Sequence, residues 1–336
     1  MKSLAPFSMP RLAIALVLGA LAPAAHAEWV ERTVDGIMGT RIHVELWADD
    51  KAAGEADIDA VMAEMNRIDY AMSTYKPDSE VSQVNARAAK APMRISQELF
   101  DLLETAVEYS KITDGAFDIT YASVGFMYDF RARQKPTEAQ IEQALPAVNY
   151  RHLLLDRKNR TIKFSQSGVR IDLGGIAKGY SVDRGIQILQ ARGIQHALVT
   201  AGGDSRIIGD RFGKPWIVGI RHPDNPDQVI ALIPLVDTAI STSGDYERYF
   251  DEGGQRYHHI IDPRTGHSAS GVRSATVLAP TATRTDGLSK TAFVLGPDEA
   301  LKIYNKLDDV DAILVAPDGR VLYTKGMEPG DTAGKP

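Results

Sequence analysis

The sequence contains no cysteine among its 336 residues. A disulfide, a cysteine nucleophile, a thiolate metal site and a lipid-modified cysteine are therefore excluded. The sequence also lacks a cluster of basic residues, and its formal net charge is −6, so we expect no nucleic-acid partner. It shows no internal repeat, which argues against a solute-binding protein with two similar lobes.

Long hydrophobic runs are scarce as well. The one apolar run that stands out, residues 12–22, is too short to cross a bilayer, and no later run is apolar enough to do so. Lys2 and Arg11 precede this run, and Ala25-His26-Ala27 follows it with the small-x-small form of a signal-peptidase site. We therefore predict that residues 1–27 are a cleaved signal peptide and that the mature protein is periplasmic, soluble and not stably inserted in a membrane.

The remaining composition is that of a globular protein, with 44% hydrophobic and 24% charged residues. We predict a single mixed α/β (α+β) domain over residues 28–326 and a flexible tail over 327–336, which is rich in glycine, proline and charge. Periodicity, caps and turn residues predict the elements and make the C-terminal half strand-rich. Predicted helices begin after Asp57, after Ser96 and at Thr137, and two more span about 177–192 and 286–295. Predicted strands lie within 29–47 and at 153–155, 161–164, 169–173, 197–200, 216–220, 239–243, 259–261, 274–278 and 313–315.

The segment from Asp172 to Gly179 carries the strongest chemical signal. A predicted strand runs into Gly174 and Gly175 and then into a helix that carries Lys178. Glycines let the main chain approach an anion closely, and a helix N-terminus and a lysine add positive charge, so this layout suits a phosphate-bearing ligand. An ordinary strand-to-helix turn explains the same residues, and this segment alone does not decide between the two.

Three other segments carry polar side chains. His258 and His259 precede a proline-containing turn, where a histidine can act as a general base, although such a pair is more often two surface histidines or metal ligands without a third partner. Residues 201–204 form a second glycine turn, which ends in Asp204. Residues 242–249 offer hydroxyls and carboxylates, but no nucleophile elbow surrounds Ser243, which argues against a serine hydrolase.

Taken together, these segments resemble the ApbE family of flavin transferases, enzymes that move FMN from FAD onto a protein threonine or serine. The resemblance runs from about residue 38 to about residue 296, and it rests on eight short motifs in the family's order, each weak by itself. The motifs lie at Met38-Gly39-Thr40, 73–85, Gly115-Ala116-Phe117-Asp118, 172–183, 201–204, 241–249, 259–266 and 286–289.

The resemblance implies a T-fold-like flavin transferase architecture with the active site in a cleft between layers. It implies that His259 is the base that deprotonates the acceptor hydroxyl, and that FAD is the donor substrate and AMP the leaving group. The acceptor would be a flavoprotein subunit of a membrane or periplasmic redox complex. The residues that it implies as FAD contacts are Met38, Tyr75, Ala116, Phe117, Asp118, Asp172, Lys178 and Ile260.

The resemblance also implies Mg²⁺, held by the carbonyl of Gly175, by Asp286 and by the side chain at position 290. Position 290 is a lysine, and a protonated lysine cannot coordinate a metal. Thr291 cannot simply substitute, because it lies about 140° around the helix from Asp286. Two hypotheses stay open: a metal site with more water ligands, or Lys290 as a fixed cation in the metal's place.

Two other functions fit the same residues. One is an FAD pyrophosphatase, in which water is the acceptor and the products are free FMN and AMP. The other is a periplasmic FAD-binding or delivery protein with weak catalysis, which would hold FAD and release no AMP.

Overall fold

The computed structural model describes residues 26–225 and 227–327. Residues 1–25, with most of the predicted signal peptide, and 328–336, with most of the predicted tail, lie outside the described residues. Met327 closes a last single turn and packs against the apolar cluster around Trp216. Within the described ranges, every helix is too short or too polar to span a bilayer.

Strands and helices alternate along the first half of the chain, and strands dominate the second. The strands are β1 (Glu28–Ile37), β2 (Thr40–Ala48), β3 (Met93–Arg94), β4 (Leu153–Asp156), β5 (Thr161–Phe164), β6 (Ala197–Ala201), β7 (Asp204–Ile208), β8 (Trp216–Arg221), β9 (Val229–Leu235), β10 (Ala239–Gly244), β11 (Tyr249–Glu252), β12 (Gln255–His258), β13 (Ser274–Ala279), β14 (Asp311–Val315) and β15 (Val321–Tyr323). The helices are α1 (Lys51–Met72), α2 (Glu80–Arg87), α3 (Gln97–Ile112), α4 (Ala122–Gly125), α5 (Glu138–Ala144), α6 (Ala177–Ala191), α7 (Ala282–Ser289), α8 (Thr291–Leu295) and α9 (Pro297–Tyr304). The predicted mixed α/β class and the strand-rich C-terminal half are confirmed.

An antiparallel sheet of eight strands, in the order β1-β2-β6-β7-β10-β13-β14-β15, forms the centre of the fold. Ile42, Val44 and Leu46 point to one face of β2 and are fully buried, as their alternation with polar residues predicts. The β1–β2 hairpin turns at Met38 and Gly39, which both have positive φ. This turn brings the first predicted FAD-binding motif to one end of the sheet.

Helices α1, α6 and α7 cover one face of this sheet. Ile58, Val61 and Met65 of α1 pack with the apolar residues of α6 and of strands β2 and β6. Gly179 allows α6 to approach α7 closely, because a Cβ there would lie 2.1 Å from the carbonyl oxygen of Ala282. The N-termini of α6 and α7 therefore meet, and each carries residues of the predicted site.

A second core lies under α2, α3 and the small sheet β3-β5-β4. The local signals that predicted these elements are confirmed. The side chain of Ser96 caps α3 by accepting from Leu99 N, and Thr137 and Gln140 form a capping box at α5. The predicted pairing of residues 153–155 with 161–164 is also confirmed.

Two predicted boundaries in the first half are wrong. Helix α1 begins at Lys51 with Asp50 as its cap, whereas Asp57 lies inside the helix and accepts from Arg192 at 3.0 Å. Residues 169–173 belong to no strand, since the Asn85 side chain supplies both main-chain hydrogen bonds of Ile171. Ser123 Oγ accepts from Arg170 N at 3.0 Å, and the carbonyl of Ile119 accepts from Asp172 N at 3.0 Å, so no neighbouring strand in the described ranges bonds this stretch.

Two predictions in the second half also need correction, and several elements there were missed. The helix predicted over 286–295 divides at Lys290 into α7 and α8, although its apolar periodicity continues across the break. The strand predicted over 259–261 is absent, because β12 ends at His258 and Ile261 forms only an isolated bridge with Ser268. Strands β7, β9, β11, β12 and β15 and helix α9 were not predicted.

Candidate active site

The glycine turn at Gly174 and Gly175 leads directly into α6. The carbonyl of Leu173 accepts from Ala177 N at 2.7 Å, so the turn closes immediately before the helix. Lys178 therefore lies in the first helical turn. Its Nζ donates to Asp204 Oδ2 at 2.5 Å and lies 3.5 Å from Asp286 Oδ1.

The second glycine turn joins β6 to β7 and supplies the carboxylate for this lysine. Gly202 has a φ of +62°, and a Cβ on Gly203 would lie 2.4 Å from the carbonyl oxygen of Thr242. Only glycine permits this turn to approach β10 so closely. Asp204, which follows the turn, is buried beneath Lys178.

Asp286 on α7 is completely buried and bound on both carboxylate oxygens. Its Oδ2 accepts from Gly179 N at 3.0 Å, and its Oδ1 contacts the ammonium of Lys290. Burial alone would raise the pKa of Asp286, but Lys178 and Lys290 outweigh it and lower the pKa below its ordinary value. Burial likewise opposes charge on Lys178, yet Asp204 and Asp286 raise its pKa above the ordinary value. We call Lys178, Asp204, Asp286 and Lys290 the lysine cluster.

Helix α7 is fixed in place by side chains from α6 and β10. Asp183 caps the helix by accepting from Ala282 N at 2.9 Å and from Thr283 N at 2.8 Å. Ser243 Oγ lies 2.9 Å from Ser289 Oγ, which links the helix to the strand. The hydroxyl of Ser243 therefore has a structural partner, in agreement with the expectation that it is not a nucleophile.

Asp172 ties three segments together at the glycine turn. Its carboxylate accepts from the hydroxyls of Thr74 at 2.8 Å and Tyr121 at 3.1 Å and from Gly174 N at 2.7 Å. Burial, and then the nearby Asp172, raise the pKa of Tyr121 well above its ordinary value, so the phenol stays a donor. Tyr75 follows Thr74 and is 92% exposed, so its ring offers a bare aromatic face beside the turn.

The two adjacent histidines differ in their surroundings. His258 is buried, with its Nε2 2.6 Å from the carbonyl oxygen of Ala269 and its Nδ1 accepting from Ile260 N at 3.3 Å. His259 is half-buried, and its Nδ1 is enclosed without a hydrogen-bond partner among the described residues. Burial, followed by the charge of Arg248, lowers the pKa of His259 to about 3, so the imidazole is neutral at physiological pH.

Arg248 is a site residue that sequence reasoning missed. Its guanidinium donates to the carbonyl oxygen of Gly39 at 3.2 Å, its one side-chain hydrogen bond within the described ranges, and its own carbonyl accepts from His259 N at 3.1 Å. It therefore joins the β10–β11 connection to the turn at Met38, whose φ of +53° is unusual for a non-glycine residue. Arg248 lies within the motif at 241–249, and that motif was the sequence signal that could have indicated it.

Four residues that were predicted to contact FAD are buried, namely Ala116, Phe117, Asp118 and Ile260. The carboxylate of Asp118 already accepts from Thr120 N at 2.8 Å and from Tyr150 N at 2.7 Å. Phe117 lies under the glycine turn, where its ring would be 3.3 Å from a Cβ on Gly175. Their side chains have structural partners, and their contacts with FAD remain predictions.

The structure brings Gly175, Asp286 and Lys290 together, as the predicted metal site requires. Lys290 Cε would lie 3.9 Å from a Cβ on Gly175, and its ammonium contacts the carboxylate that a metal would bind. An ammonium offers no lone pair, and Thr291 is buried with an unpartnered hydroxyl elsewhere. This set of donors does not fit Mg²⁺.

Comparisons with known proteins point to one family. The model of the ApbE family matches residues 38–314. A Haemophilus influenzae FAD:protein FMN transferase is 36% identical over 282 residues, which cover 80% of this chain and 82% of that protein. A Treponema pallidum protein of the same name is 32% identical over 310 residues, which cover 87% of this chain and 86% of that protein. The crystal structure of the Thermotoga maritima ApbE protein superposes with a TM-score of 0.82 at 36% identity and covers 89% of this chain and 98% of that one.

Proposed function

The chain belongs to the ApbE family, and we propose that it is an FAD:protein FMN transferase. In this reaction FMN moves from FAD onto a threonine or serine hydroxyl of a protein, and AMP leaves. One observation in the structure supports the proposal most. The charges of Lys178 and Lys290 reach His259 and contribute to lowering its pKa, and the buried Nδ1 of His259 has no partner among the described residues. The cluster offers positive charge for phosphates, and the histidine offers a base.

The bond changes follow from this arrangement. The acceptor oxygen attacks the phosphorus on the FMN side of FAD, and the bond from that phosphorus to the bridging oxygen breaks. The hydroxyl proton passes to His259, and AMP leaves with the bridging oxygen. Lys178 and Lys290 neutralise the charge on the phosphates, which such a displacement needs more than covalent catalysis.

The low pKa of His259 is compatible with this role. In the protein without FAD, burial and neighbouring cations keep the imidazole neutral, so the base is available at every physiological pH. Bound phosphates bring negative charge to the same place, and an anion nearby raises the pKa of a histidine. We therefore expect FAD to make His259 a stronger base than it is in the empty site.

We place the flavin end of FAD against Tyr75 and the turn at Met38, with Asp172 and Lys178 on the pyrophosphate side. The exposed ring of Tyr75 provides a stacking surface for the isoalloxazine. Arg248 reaches the same turn and adds a cation to this end of the site.

We further propose that residues 1–27 export the chain to the periplasm. The charged start, the apolar run 12–22 and the Ala-His-Ala sequence support this. The acceptor is then a flavoprotein subunit of a membrane or periplasmic redox complex. N-terminal sequencing of the chain recovered from a periplasmic fraction should begin at Glu28, and a chain that still begins at Met1 would contradict the proposal.

Incubation of residues 28–336 with FAD and a threonine-bearing acceptor domain tests the activity. Acceptor mass and AMP should rise together, and both should be lost when the acceptor threonine is replaced by alanine. AMP with free FMN would instead indicate the pyrophosphatase. Bound FAD with no AMP under any condition would indicate a carrier.

A further inference from the structure

Lys290 occupies the place that the family resemblance gives to a third metal ligand. It lies at the junction of α7 and α8, and its Nζ donates to the main-chain oxygen of Asp286 at 2.8 Å while it contacts Oδ1 of the same residue. The side chain passes over Gly175. The ammonium therefore stands between the carboxylate and the glycine turn, where a metal ion would have to lie.

The lysine cluster is layered. The side chains of Asp204 and Asp286 are 4% and 0% exposed, whereas those of Lys178 and Lys290 are 23% and 16% exposed. The acids thus lie beneath, and the ammonium groups face the site. The surface that meets a ligand is cationic, although the two acids and two lysines balance in total charge.

The hydrogen bonds of Lys290 leave room for a ligand. An ammonium has three N–H donors, and two of them point to the main-chain oxygen and Oδ1 of Asp286. The third remains for a phosphate oxygen. A divalent cation, in contrast, would have to displace this ammonium from Asp286 and lie beside Lys178 against charge repulsion.

We propose that Lys290 replaces the divalent cation, so that this chain binds the FAD pyrophosphate and transfers FMN without a metal. The inference rests on the proposed function for its catalytic part only. Lys290 donates a hydrogen bond to a phosphate oxygen and exchanges no proton with the acceptor or with AMP. FAD binding by itself reports on this role, independently of turnover.

The experiment is a flavin fluorescence titration of residues 28–336 with FAD, in EDTA and in excess MgCl₂. The Kd of the wild type should be the same in both. Lys290→Thr restores a hydroxyl ligand for a metal. Its Kd for FAD should be at least about tenfold higher in EDTA than in MgCl₂. Lys290→Arg keeps a cation and should bind without metal. Lys302→Met removes a surface lysine of α9 paired with Glu299 and should change nothing.

Calorimetric titration of the FAD-free protein with MgCl₂ completes the test. The wild type should show no stoichiometric binding, and Lys290→Thr should show one site that Asp286→Asn abolishes. Wild-type FAD binding that requires Mg²⁺, or one Mg²⁺ bound through Asp286 in the wild type, overturns the inference. Metal-independent FAD binding without AMP release in any condition would leave it standing and remove the transferase proposal.

Discussion

The lysine cluster and the histidine pair, His258 and His259, lie in one site and differ in how completely their polar atoms are paired. Both carboxylate oxygens of Asp286 have partners, and Lys178 lies on two buried acids. His258 is equally satisfied at both ring nitrogens. His259 alone among these groups keeps a buried nitrogen without a partner in the described ranges.

This difference separates what holds the site together from what is left for a substrate. Buried polar atoms are nearly always hydrogen-bonded in folded proteins, so an unpaired one calls for an explanation. At His259 we propose that the missing partner is supplied when the substrates bind, with the acceptor hydroxyl donating to the imidazole. The paired groups of the lysine cluster instead fix the positions of two cations, because Asp286 is held by Gly179 N and binds Lys290, and Asp204 binds Lys178.

Replacement of His259 by alanine tests the unpaired group of the comparison, and we expect it to have the largest effect, a loss of catalytic activity. Loss of a general base lowers the rate of transfer by about 10²- to 10⁴-fold, while the protein stays folded. The measurement is acceptor flavinylation under saturating FAD. The matched variant is His258→Ala, which should lower stability and leave the activity of the folded protein largely intact. Equal losses of activity in the two variants would contradict the assignment.

Asp286→Asn tests the paired groups of the lysine cluster, and we expect it to lower the stability of the protein. It removes the charge that compensates two lysines and leaves them partly uncompensated in a buried site, which costs about 3–5 kcal/mol of unfolding free energy. Urea denaturation of the FAD-free protein measures this cost. Asp318→Asn, which removes an exposed ion pair with Arg320, is the control and should not shift the midpoint. An Asp286→Asn protein as stable as wild type would show that the charge of Asp286 does not stabilise Lys178 and Lys290.

Gly179→Ala should loosen the same cluster by a smaller amount. The added Cβ would lie 2.1 Å from the carbonyl oxygen of Ala282, so α6 and α7 must separate. Overpacking of this kind costs about 1–3 kcal/mol, and FAD affinity should fall because Lys178 moves with α6. Thermal denaturation and FAD titration check the two effects. Unchanged affinity with reduced stability would mean that the cluster tolerates the shift.

The smallest effect per pH unit is expected in the pH dependence of the free energy of unfolding. Burial lowers the pKa of His259 to about 3. Between about pH 6.5 and 3 this histidine is therefore protonated in the unfolded chain but neutral in the folded chain. The free energy of unfolding should therefore fall as the pH is lowered through this range, by at most about 1.4 kcal/mol per pH unit for this histidine. His259→Asn should flatten the slope in urea titrations at several pH values. An unchanged slope would place the effect on His258, whose pKa burial also lowers.

Local signals in the sequence predicted the parts of the fold that local chemistry decides. Ser96 and Thr137 cap their helices because each side chain needs only a main-chain N–H three residues away. Asp50 caps α1 in the same local way, by accepting from Ala53 N at 2.8 Å, and the apolar periodicity that indicated Asp57 did not reveal it. The segment around residue 171 depends on hydrogen bonds from Asn85, 86 residues earlier in the chain. No periodicity in the sequence can reveal this contact.

The same distinction applies to the candidate site. Helical geometry alone indicated that the residue at position 290 lies above Asp286, and the structure places the lysine ammonium on that carboxylate. The pairing of Lys178 with Asp204 and the reach of Arg248 to Gly39 depend on how distant segments of the chain meet. The unpartnered nitrogen of His259 has no sequence signal at all, because it is defined by the neighbours that surround it.

A single-turnover reaction in oxygen-labelled water tests the central claim, FMN transfer from FAD to a protein hydroxyl, most directly. The protein, one equivalent of FAD and an excess of acceptor domain would be mixed, and AMP, acceptor-bound FMN and the label in each phosphate measured together. We predict equal amounts of AMP and acceptor-bound FMN, with no label in either phosphate. Free FMN or AMP that carries label would show that water, and not a protein hydroxyl, is the acceptor, and would contradict the account.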